Sequence, residues 1–96
     1  MWSWYISTLI DERTQPAIFA GLRADVPGLP SDILTRYCDM IGLPWGACTA
    51  SARFVEYGNG KGHFIVEGAV SARIGNELEF LQSCTALLFD EAKRNA

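Results

Sequence analysis

The stretch ACTASARFVEYGNGKGHFIVEGAVSARI, residues 47–74, reads as two β-strands joined by a glycine-rich turn. From Ala47 to Tyr57, and again from residue 63 to 74, apolar side chains fall on alternate positions, the period of a strand with one buried face. Between the runs lies Gly58-Asn59-Gly60-Lys61-Gly62, and Asn-Gly is the strongest short hairpin signal. Two registers compete. A two-residue Asn59-Gly60 turn sets Phe54 opposite Ile65 and leaves Arg53 beside Val66. A longer loop pairs Tyr57 with His63, Val55 with Ile65, Arg53 with Glu67 and Phe54 with Val66, so charge meets charge and apolar meets apolar. The second register is the expectation. It puts Cys48, Ala52, Phe54, Phe64, Val66 and Val70, continuing to Ala72 and Ile74, on one face that must be covered. Arg53, Val55, Tyr57, His63 and Ile65 fall on the other face, with Lys61 at the tip.

Upstream, Trp2, Trp4, Ile6, Thr8 and Ile10 share one parity in a run rich in aromatic and β-branched residues, which predicts a strand over residues 2–9 with its even face inward, Trp2 near the terminus having the alternative of capping an edge or a partner surface. Asp11-Glu12-Arg13-Thr14 makes a turn, with Thr14 as N-cap and Pro16 in the first turn of a helix over 15–25, whose stripe is Ala17, Ile18, Gly21 and Leu22. Pro27-Gly28 ends it. Ser31-Asp32 can cap a second helix over 31–41, with Ile33, Leu34, Tyr37, Cys38 and Ile41 at helical spacing and Gly42 as its C-cap. Downstream, Asn76 or Gly75 caps a last helix over 77–93, where Leu78, Phe80, Leu81, Cys84, Leu87, Leu88 and Phe89 form a wide apolar arc. The order β-α-α-β-β-α makes an α+β domain, a small antiparallel sheet of about three strands with helices packed on one face.

The chain has 96 residues, enough for one core and not two. Hydrophobic residues at 49% and charged residues at 20% are those of a globular domain rather than a disordered one. Eight Lys and Arg against eleven Asp and Glu leave a net charge of −3, which disfavours phosphate-driven binding of nucleic acid. The cationic and aromatic residues that could carry such binding, Arg53, Tyr57, Lys61, His63 and Arg73, have Glu67 among them. The uncharged opening Met1–Ile10 is far shorter than the roughly 20 residues of a membrane span and lacks the pattern of a secretory signal. Three widely spaced cysteines, Cys38, Cys48 and Cys84, are a poor disulfide framework and fit a reducing compartment, so a cytoplasmic protein with reduced, mutually distant and buried thiols is expected.

Catalytic and metal chemistry find little support. A nucleophile paired with histidine must use His63, the single histidine, which faces away from Cys48 and Cys84. A zinc site would need local ligand pairs, whereas the steps from Cys38 to Cys48, His63 and Cys84 are 10, 15 and 21 residues. The glycine-rich loop is flanked by strands on both sides, which fits a hairpin tip and not a phosphate loop. No two carboxylates are brought to acid–base geometry by spacing.

What remains is a surplus of apolar surface. Small acidic one-domain chains without a catalytic constellation are more often binders than enzymes, and many serve mobile elements as phage-encoded inhibitors or gene-cassette products. The expectation is therefore a non-enzymatic protein-interaction module without a cofactor. It would act as an accessory or inhibitor by binding a protein partner through Arg53, Val55, Tyr57, Lys61, His63 and Ile65. Self-association as a two-fold dimer is expected too, because a three-stranded sheet has two edges and one face without an assured cover. The competing expectation is a small-molecule site or minor enzyme with a pocket near Tyr37, Trp45 and Cys48.

Overall fold

The computed structural model describes residues 2–29, 31–44, 46–71 and 75–96; Met1, Pro30, Trp45, Ala72, Arg73 and Ile74 lie outside the described residues, and with the last three the expected continuation of the third strand. The elements are β1 (Trp2–Asp11), α1 (Pro16–Ala24), α2 (Ser31–Ile41), β2 (Cys48–Glu56), β3 (Lys61–Val70) and α3 (Glu77–Arg94). The order and the α+β class are those read from the sequence. The three strands form one antiparallel sheet in the order β1-β3-β2, so the hairpin's second strand is central and the N-terminal strand lies beside it.

The hairpin register differs from both registers considered. Tyr57 donates its N–H to the Lys61 carbonyl at 2.9 Å, closing a three-residue loop in which Gly58 and Gly60 take φ of 82° and 77°. Those left-handed conformations cost glycine little, and they tighten the turn beyond what the pairing pattern demanded. Phe54 therefore faces Phe64, Val55 faces His63 and Arg53 faces Ile65. The displacement from the expected register is two residues, so every side chain keeps its face. The expected partners become diagonal neighbours that still touch: Arg53 reaches Glu67 at 3.2 Å, and the Tyr57 and His63 rings meet edge-on at 5.1 Å.

Among the described residues the helices pack on the even-numbered face. Ile10, Phe64 and Val66 from the sheet meet Phe19 and Leu22 from α1 and Leu81 and Leu88 from α3 in one buried cluster. Phe19, absent from the expected α1 stripe, is fully buried and packs edge-on against Phe54 at 5.4 Å, while the expected Ala17 is exposed. The α3 stripe is narrower than the apolar arc: Leu81, Cys84, Thr85, Leu88 and Ala92 are buried at helical spacing, whereas Leu78 and Leu87 are exposed. A satellite cluster of Tyr37, Cys38, Cys48 and Val70 seats α2.

The caps also depart from expectation. Gln15 occupies the N-cap of α1 and makes no side-chain cap, while the Thr14 hydroxyl donates to the Asp11 carbonyl within the preceding turn. Asn76 is the N-cap residue of α3, as expected, but its Oδ1 accepts from the Tyr37 hydroxyl at 3.2 Å instead of from the helix N–H groups. At the other end of α2 the Gly42 C-cap is as expected: Leu43 donates to Cys38 and Gly42 to Asp39 across a glycine of φ 75°.

Candidate functional site: the uncovered sheet face

Odd-numbered residues of the three strands form the opposite face of the sheet. Their cross-strand rows are Leu9–His63–Val55, Ser7–Ile65–Arg53, Tyr5–Glu67–Ser51 and Ser3–Ala69–Thr49. Among the described residues no helix lies on this face. Tyr5 is 67% exposed, Leu9 54%, Val55 41% and Tyr57 49%, and His63 and Ile65 on the central strand are half-buried. Large apolar side chains sit contiguously at the hairpin end. At the other end small residues leave a shallow trough of about 570 Å³ bounded by Ser3, Tyr5, Thr49, Ser51, Glu67 and Ala69.

Arg53, Val55, Tyr57, Lys61, His63 and Ile65 all fall on this face or at its tip, as their parity required. Tyr5 and Leu9 belong with them and were not assigned to the site by the sequence. Their odd parity on β1 was the available signal, but only the β1–β3 pairing carries them onto the same surface. The cations have nearby counter-charges. Arg53 pairs with Glu67, and Lys61 stands opposite Asp11. Asp11 is held below the usual carboxylate range, first by the Arg13 backbone N–H and to a smaller extent by the charges of Arg13 and Lys61. The Tyr57 hydroxyl lies 3.4 Å from His63 Nε2.

The competing pocket takes a different form. Tyr37 is buried, stacked on Phe80 with centroids 3.9 Å apart, and its hydroxyl is bonded to Asn76. Beside it, Cys38, Cys48, Leu34 and Thr49 line a hollow of about 230 Å³, below the roughly 300–1,000 Å³ of usual ligand sites. Cys38 and Cys48 are not mutually distant, contrary to expectation: α2 lies against β2 so that the two thiols share one buried cluster and interact with each other. All three cysteines are free and buried, and no group of three potential metal ligands comes together among the described residues.

Burial pushes the Cys48 thiol up to about 12, with the Cys38 contact adding to it, and burial raises Cys84 to about 11 and Tyr37 to about 12. Each group is neutral when protonated, and in the unfolded chain thiols ionise near 9 and tyrosine near 10. The folded state therefore keeps protons that the unfolded state releases, and stability present below about pH 9 is lost as pH rises toward 12. The melting temperature should be flat from about pH 7 to 8.5 and fall steadily above pH 9. A melting temperature unchanged to pH 11 would show that these groups are not buried.

No protein family, curated protein or solved structure matches this chain.

Proposed function

We propose that the protein is a binding module without enzymatic activity, and that its docking surface is the uncovered sheet face. The observation that carries this reading is the exposure of Leu9, Val55 and Tyr57 beside half-buried His63 and Ile65, with exposed Tyr5 further along the same face. Exposed aromatic and aliphatic clusters of this kind concentrate binding energy, and a folded domain has little other reason to keep them in water. The partner is a protein presenting a complementary apolar patch with a polar rim, since Arg53 and Lys61 already have counter-charges within the chain. A chain of this size with one such face can act by covering its partner's surface, as accessory and inhibitor proteins of mobile elements do. The cytoplasm is the compartment in which its thiols stay reduced.

Tyr57→Ala and Val55→Asp test this. Surface substitutions usually shift stability by about 0.5 kcal/mol, so both variants should melt within a few degrees of the parent. Hot-spot truncation costs about 2 kcal/mol in binding, roughly a 30-fold loss of affinity. Affinity capture should thus lose the same partner with both variants and keep it with Leu87→Ala, a change at an exposed leucine of α3 on the helical side. If capture is unaffected by the face variants, or equally lost with Leu87→Ala, the face is not the docking surface.

A further inference from the structure

The two edges of the sheet are unlike. On the β2 edge Arg53 and Glu56 stand within the strand, and Glu56 is held by Arg23 of α1 at 2.8 Å. On the β1 edge the strand from Trp2 to Ile10 contains no charge and no proline, and it follows β3 through ten consecutive pairs without a bulge. Charges, prolines and bulges are the devices that keep edge strands from pairing with other chains, and β1 has none of them between its ends.

The hydrogen-bond phase shows which groups this edge offers. Residues of an antiparallel strand alternate between bonding to one neighbour and turning N–H and C=O the other way. Glu12 donates to the Gly60 carbonyl at 2.8 Å, one step beyond the Asp11–Lys61 pair, so the even-numbered residues of β1 are those that bond to β3. Ser3, Tyr5, Ser7 and Leu9 therefore turn their backbone groups outward, and no hydrogen bond among the described residues reaches them. The side chains of these four also stand exposed on the uncovered face.

We infer that the occupant of this edge is a second copy of the same chain, with β1 pairing antiparallel to its symmetry mate about a two-fold axis at Ile6. Only in this register do all four outward residues find outward partners without involving Asp11: Ser3 meets Leu9 of the other copy, and Tyr5 meets Ser7. Each large side chain faces a small one, and the two Tyr5 rings become diagonal neighbours. A chain of net charge −3 meets its like along its uncharged strand, where self-repulsion is least. Trp2 and Leu78, which border one hollow on the helix side of the same edge and are 52% and 56% exposed, add apolar surface at the seam. The product is a six-stranded sheet with two uncovered faces side by side. The contact is isologous and closes at two chains. Edge pairing buries less than a standard interface, so the dissociation constant should be roughly micromolar to tens of micromolar. This pairing does not rest on the partner-binding reading of the face, since it uses backbone groups at an edge.

Light scattering over about 1 to 200 µM should show the mass rising from one chain to two. Amide exchange at Tyr5, Ser7 and Leu9 should slow at least tenfold over the same range. Ser7→Pro removes an outward N–H that serves no internal bond, so it should keep the fold and weaken association at least tenfold. Should it fail to fold, Ser7→Lys replaces it, placing two like charges diagonally across the seam. A one-chain mass throughout, a dimer that both variants retain, or growth beyond two chains would each overturn the inference. So would a dimer abolished by Val55→Asp but untouched by the edge variants, which would mean association through the face.

Discussion

Gly21→Val should leave the chain unfolded at physiological temperature, and Gly21→Ala should lower its stability by about 2 kcal/mol. Gly21 is buried where α1 crosses α3, and a Cβ placed on it would fall on the carbonyl of Ala92. Both sides of that contact are backbone, so no flexible side chain can move aside. Helix propensity acts in the opposite direction, because alanine is favoured over glycine by up to about 1 kcal/mol inside a helix. The clash must exceed that gain, and the sign of the Gly21→Ala change therefore reports which effect wins. A domain of this size has stability near the low end of about 5 to 15 kcal/mol, so the larger valine, costing about 3 kcal/mol or more, takes most of it. Urea denaturation measures both variants. A Gly21→Ala protein as stable as the parent would mean that α1 and α3 do not meet at this point.

Phe64→Ala should cost about 3 to 5 kcal/mol, while Ile65→Ala, one residue away, should cost less than half as much. Phe64 lies on the central strand with no exposed surface, opposite Phe54 on one side and Thr8 on the other, and 5.4 Å from the Phe89 ring of α3. Removing its ring leaves a cavity bounded by two strands and a helix that cannot all collapse inward. Ile65 points the other way into a face without a helix, where truncation uncovers neighbours to water but leaves no enclosed void. The contrast between adjacent residues measures the asymmetry of the sheet directly. Equal losses would show that the odd-numbered face is covered by the chain itself, and the proposed docking surface would then be the second half of a core.

The alternation in residues 48–70 was sufficient to divide that segment between two faces, because side-chain direction in a strand depends on parity alone. That is why Phe54, Phe64 and Val66 were assigned inward and Val55, Tyr57 and Ile65 outward although the register itself was two residues off. The spacing of Ile33, Tyr37, Cys38 and Ile41 likewise carried α2 to its observed bounds, with Gly42 closing it. Register was not legible, since charge pairing and apolar pairing are satisfied almost as well by diagonal as by direct neighbours, and the two glycines at the turn made the decision. Nor was the contact of Cys38 with Cys48 legible, because sequence separation says nothing of how α2 settles against β2. The burial of Phe19 rather than Ala17 depended on where α1 meets Phe54 and α3. Above all, the membership of Tyr5 and Leu9 in the site, and the outward turn of their backbone groups, required knowing that β1 pairs with β3 and in what phase. Parity is local and is written in each strand, whereas adjacency is decided by which partner buries the even face most completely, and that choice is made by the whole chain at once.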